Sequence, residues 1–120
     1  MSTACNDTLS FCPGIINLNC LKVGVYVYRA KITFKNVSTG EPIDIMDDDF
    51  VMYIWDAQGV LIDTLTVGDG LEKEADNVLY FVIESPVTDA AGVYTHQIDW
   101  SPVSTGAPFP AFVGKIIVKG

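Results

Sequence analysis

Residues 26–35 read Tyr-Val-Tyr-Arg-Ala-Lys-Ile-Thr-Phe-Lys. Tyr26, Tyr28, Ala30, Ile32 and Phe34 alternate with Val27, Arg29, Lys31, Thr33 and Lys35. A period of two places the first set on one face of an extended strand and the second on the other, so one face is buried and the other wet. Working outward, residues 36–42 (Asn-Val-Ser-Thr-Gly-Glu-Pro) cluster turn formers, and 43–46 predicts a short return strand that stops at Asp47-Asp48-Asp49.

Residues 50–55 (Phe-Val-Met-Tyr-Ile-Trp) are apolar on both alternating faces, as a central strand requires. Asp56-Ala57-Gln58-Gly59 then turns the chain into a hairpin partner at 60–67, with Gly59 expected at positive φ. Further strands are predicted at 78–83, 93–100 and 112–118. Residues 68–77 read as loop, because Leu71-Glu72-Lys73-Glu74-Ala75 is enough for only one helical turn. Apolar residues nowhere keep the spacing of three and four that an amphipathic helix needs. Seven short strands with turn signals about every ten residues predict an all-β, Ig-like antiparallel β-sandwich with an N-terminal extended arm. Its expected core includes Ile32, Phe34, Ile54, Leu65, Phe81, Ile83, Tyr94, Ile98 and Ile116.

A chain of 120 residues suits one such domain, spanning 22–120, preceded by an arm at 1–21. The arm mixes Pro13, Gly14 and asparagines with Leu9, Phe11, Ile15, Ile16, Leu18 and Leu21. Six apolar side chains need a surface to cover, either a neighbouring subunit or an edge of the arm's own sheet, and both destinations stay open. Seven basic against fifteen acidic residues, a net charge of −8, oppose binding to phosphate backbones, so nucleic acid is not an expected partner. No apolar run reaches the roughly 18 residues of a membrane helix, and the first residues lack a basic segment followed by an apolar one. Neither membrane insertion nor a standard secretion signal is expected.

Cys5, Cys12 and Cys20 all lie in the arm with six and seven residues between them, more than paired zinc ligands usually have, and only His96 could serve as a fourth ligand. One disulfide plus an odd thiol is expected, with cross-linking between subunits as the alternative and the cysteines reduced during assembly in a cytosol. His96, amid a strand and far in sequence from any cysteine, reads as a structural residue rather than a catalytic base. Asp44, Asp47, Asp48 and Asp49 are the candidates for a Ca²⁺ site, yet they and the second cluster (Asp69, Glu72, Glu74, Asp76) lack the spacing of a calcium loop and read mainly as solvated charge. No catalytic residues and no cofactor are expected, and the chain reads as a non-enzyme. Exposed aromatics among Tyr53, Trp55, Trp100, Phe109 and Phe112 would point instead to a carbohydrate- or receptor-binding module.

The order of RAKITFKNVSTGEPIDI (29–45), FVMYIWDAQGVLIDTLTVGDG (50–70), LYFVIESP (79–86), TDAAGVYTHQIDW (88–100) and GKIIVKG (114–120) resembles the Ig-like sandwiches of bacteriophage virions. It is most similar to the N-terminal domain family of phage baseplate upper proteins. Residues 89–94 also resemble the tyrosine corner of immunoglobulin-type domains, with His96 where an antibody domain carries its second inter-sheet cysteine. The resemblance implies a virion building block made in the host cytoplasm. Because the chain stops just after its last predicted strand, the expected role is a capsid decoration or head-fibre protein. Its partners would be capsid or tail subunits and further copies of itself, held through the arm. A baseplate or tail adaptor, or a receptor- or carbohydrate-binding module, is the alternative.

Overall fold

The computed structural model describes residues 14–24, 26–36, 39–104 and 106–120. Among them run nine strands: β1 (Gly14–Ile15), β2 (Leu18–Lys22), β3 (Tyr28–Thr33), β4 (Asp49–Trp55), β5 (Leu61–Val67), β6 (Gly70–Ala75), β7 (Val78–Ile83), β8 (Gly92–Ser101) and β9 (Phe109–Lys119). A 3₁₀ turn, Val87–Asp89, precedes β8. Hydrogen bonding runs in the order β1-β9-β8-β4-β5-β6-β7-β3, with β2 also on β9. Between β5 and β6 only Thr66 with Gly70 and Val67 with Leu71 pair, at a corner pinned by a reciprocal Thr66–Asp69 backbone pair of 3.0 and 2.8 Å. There the ribbon folds over, so that β3, β7 and β6 form one layer and β5, β4, β8, β9 and the N-terminal strands the other. The fold is an all-β Ig-like sandwich.

Alternation does the rest. Phe50, Met52 and Ile54 of β4, Leu79, Phe81 and Ile83 of β7, and Tyr94, His96 and Ile98 of β8 all point inward and are buried. All nine residues expected in the core belong to one continuous cluster. Phe34 seals one end of it, its ring 5.5, 5.2 and 5.8 Å from those of Phe50, Trp100 and Phe112. Gly59 holds φ 80°, in a turn where the Asp56 carboxylate accepts from the amides of Gln58 and Val60, both at 2.9 Å.

Three expectations are corrected. Residues 43–46 form no strand: after a lone Lys35–Pro42 bridge, the Asp44 carboxylate takes the Met46 amide at 2.9 Å and turns the chain. Ile45 is thereby driven into the core, its amide bonded to the Asp76 carbonyl at 2.7 Å. Residues 68–77, expected as loop, contain β6, whose helix-favouring Glu-Lys-Glu is overridden because Leu71 is buried and the strand pairs with β7. The expected boundary after Leu21 falls within β2. Gly14 and Ile15 pair in parallel with Phe112 and Val113, and Leu18, Leu21 and Lys22 with Ile116, Val118 and Lys119, so the sheet begins by Gly14.

Candidate interaction face

Burying Phe50, Met52 and Ile54 turns Val51, Tyr53 and Trp55 to the opposite, outer face of the sheet. The registers of β4 with β5 and β8, and of β9 with β8 and β1, then assemble rows across that face. One row runs Ile15, Val113, Gln97, Tyr53, Thr64, and the next runs Lys115, Thr95, Trp55, Leu61. Val93 and Ile117 make a further pair, and Tyr53 and Trp55 stack with ring centroids 6.0 Å apart and planes 28° from parallel. Ile15 is 71% exposed, Leu61 49% and Val93 45%. An antiparallel sheet facing water normally alternates apolar-in with polar-out, and here both faces are largely apolar.

Charge sits at the two ends of this face. By alternation Lys115 and Lys119 of β9, with Lys22 opposite Lys119, lie toward one end. Asp49 and Asp99 lie at the other, and the Gln97 side-chain amide donates to Asp99 at 2.7 Å.

The candidate calcium ligands do not converge. Asp48 is buried, with one carboxylate oxygen accepting from the Trp100 indole at 2.8 Å and the other from the Val103 amide at 2.8 Å. Asp44 caps Met46, Asp49 accepts from the Phe50 amide at 3.0 Å, and Asp47 is exposed. The Lys73 ammonium, which nothing in the sequence marked, donates to the carbonyls of Met46 and Asp48 at 2.7 and 2.5 Å and closes the same loop. Among the described residues no three His, Cys, Asp or Glu side chains form a group able to hold a metal ion.

The arm residues divide. Leu9, Phe11, Cys5 and Cys12 lie outside the described residues; Cys20 is exposed and unpaired among them. Leu21 is buried, and Ile16 and Leu18 pack on the domain's own core, the second of the two destinations open to the arm. Among the described apolar residues of the arm, only Ile15 faces outward. Between β1 and β2 the Ile16 carbonyl dips over Gly114 and meets His96 Nε2 at 2.7 Å. A Cβ at Gly114 would overlap that carbonyl, so a bare backbone is required there. His96 is buried, and burial pushes its pKa below the ordinary value, the Ile16 hydrogen bond opposing that shift. In the neutral ring Nε2–H is the donor and Nδ1 has no partner. The tyrosine corner forms: the Tyr94 hydroxyl donates to the Ala90 carbonyl at 2.6 Å. Burial, then the Asp56 and Asp89 charges, raise its pKa and keep it a donor.

Trp100, Phe109 and Phe112 join the cluster at the end of the sandwich, Trp100 5.9 Å from Phe50 and 5.5 Å from Phe109. Of the five aromatics considered as a binding platform, Tyr53 and Trp55 therefore stand apart on the outer face. Sequence reasoning used β4's apolarity only to place the strand centrally; the missed signal was that Val51, Tyr53 and Trp55 share one parity.

No family model matches the chain, and no curated protein matches it. Among solved structures it is similar to a chain of the ZIG-8–RIG-5 IG1–IG1 heterodimer. The identity is 11%, over 91% of this chain and 84% of that one, with a TM-score of 0.35.

Proposed function

We propose that this chain is a non-enzymatic structural protein of a bacteriophage particle, a capsid decoration or head-fibre subunit that holds neighbouring protein through the outer face of β5, β4, β8 and β9. The apolar face carries this reading: a sheet surface bearing Tyr53, Trp55, Leu61, Val93, Val113 and Ile117 is what a protein interface presents. The order of sequence motifs supplies the phage setting. Gripping by the arm is narrowed to residues 1–13, including Leu9 and Phe11, since Ile16, Leu18 and Leu21 are used within the domain. Mass spectrometry of purified particles, with and without an intact gene for this chain, tests the reading. Stoichiometric presence supports it, and absence from particles overturns it. The Tyr53–Trp55 stack favours one second reading, a carbohydrate- or receptor-binding module using the ring faces. Glycan binding lost in Trp55→Ala, by a chain absent from particles, would select it.

A further inference from the structure

Accepting the outer face of β5, β4, β8 and β9 as a protein-binding surface, we infer that its partner is the same face of a second copy of this chain. The two copies are related by a two-fold axis that lies in the plane of the face and crosses the strands near the Val113–Gln97–Tyr53 row.

A chain of net charge −8 repels its own copy at a distance, so it can pair only through a surface where acids are few or balanced. This face meets that condition. Three of the chain's seven basic residues, Lys22, Lys115 and Lys119, lie toward one end of it, and Asp49 and Asp99 lie at the other. An in-plane two-fold reverses the strand direction between the copies and sets the basic end of each over the acidic end of its partner. Parallel stacking would set like over like. Every contact in such an isologous pair occurs twice, so the complementarity is doubled. Between the charged ends, Tyr53 lies over the uncharged central row of the partner and Trp55 over the partner copy's Val51, which gives an aromatic centre with a charged rim.

Sedimentation equilibrium of the full chain tests this. The wild type is expected to move from one chain mass, 13.0 kDa, to twice that as concentration rises, and to dissociate more readily as salt screens the ends. Lys115→Asp and Asp99→Lys, each opposing like charges across the pair, should each raise the dissociation constant by about tenfold or more. The double variant should return it to near the wild-type value. Lys115 is exposed and Asp99 half-exposed, and circular dichroism checks that each of the three variants folds. A chain that stays at one mass throughout overturns the inference, as does a dimer that neither single reversal weakens. A monomer that still co-sediments with particles overturns self-pairing while leaving the virion role intact. A dimer that responds to the reversals but is absent from particles upholds self-pairing and removes the virion role.

Discussion

On the outer face of β3, β7 and β6, Arg29 stands 3.6 and 3.7 Å from Glu72 and Glu74 and 4.2 Å from the centre of the Tyr80 ring, with Lys31 beside it. On the other outer face, the row from Ile15 through Val113, Gln97 and Tyr53 to Thr64 carries no charge. Both layers obey the same alternation inward, and both bury Leu, Ile and Phe. They differ in what they offer outward: the first presents paired charges to water, and the second a mainly apolar surface. Burial alone does not distinguish them, because Tyr80 and Tyr53 are both half-buried. The neighbours across the strands do.

The contrast depends first on which side of each strand is inside. Phe81→Ala and Ile98→Ala, one from each layer, should each cost about 2 to 5 kcal/mol in chemical denaturation. Val82→Ala and Gln97→Ala, their outward neighbours, should cost about 1 kcal/mol or less. Equal losses at inner and outer positions would reverse the assignment of faces.

A smaller effect probes how the N-terminal strands extend the apolar layer. Gly114→Ala must push the Ile16 carbonyl away from both β9 and His96, at about 1 to 3 kcal/mol, and amide exchange should quicken in β1 and β2 before β4. Unchanged protection there would detach the arm from its assigned place.

The His96 contact should also make that layer acid-sensitive. A histidine pKa depressed by folding means that the unfolded chain binds the proton more readily. The stabilisation is complete above the ordinary value of 6.5 and is lost as pH falls through the lower folded value, at most about 1.4 kcal/mol per pH unit. Asp63, whose pKa is raised by burial and then by Asp69 and Glu84 against the Thr64 amide, acts in the opposite sense, in a window that opens at its ordinary 3.8 and extends upward. Denaturation midpoints from about pH 7 to pH 5 should therefore slope in the wild type and flatten in His96→Phe. A slope that survives the substitution would assign the acid sensitivity elsewhere.

The smallest effect is expected on the charged face. Arg29→Ala removes two long, half-exposed ion pairs and one ring contact, and should cost less than about 1 kcal/mol. A loss as large as that at Phe81 would show that this face is held by its charges after all.

Much of this was legible in the sequence wherever alternation and burial agreed. β4, β7 and β8, the nine core residues and the Gly59 turn all follow from local pattern, and so does the Tyr94 corner from its motif. β6 was not legible, because Glu-Lys-Glu carries no strand signal and its pairing is fixed by Leu71 and by β7. Nor was Asp48, identical in type to its neighbours Asp47 and Asp49 but turned inward by Trp100 and Val103, more than 50 residues away. The arm's two destinations could not be separated, since its apolar spacing fits either surface. What decides between them is a bare patch at Gly114, visible only once β8 and β9 are side by side.

That seam also sets the order in which the molecule can be completed. β1 and β2 pair with β9, and the Lys115 amide reaches back 98 residues to the Asn17 side chain. Loop closure over such a span is slow, and it cannot begin on the ribosome until β9 has emerged. Until then β8 shows an open edge and the N-terminal strands have no partner, the state in which strands from different chains pair wrongly. A chain built this way depends, until β9 is in place, on neighbours being kept away from the β8 edge that β9 will occupy and from the N-terminal strands that will then pair with β9.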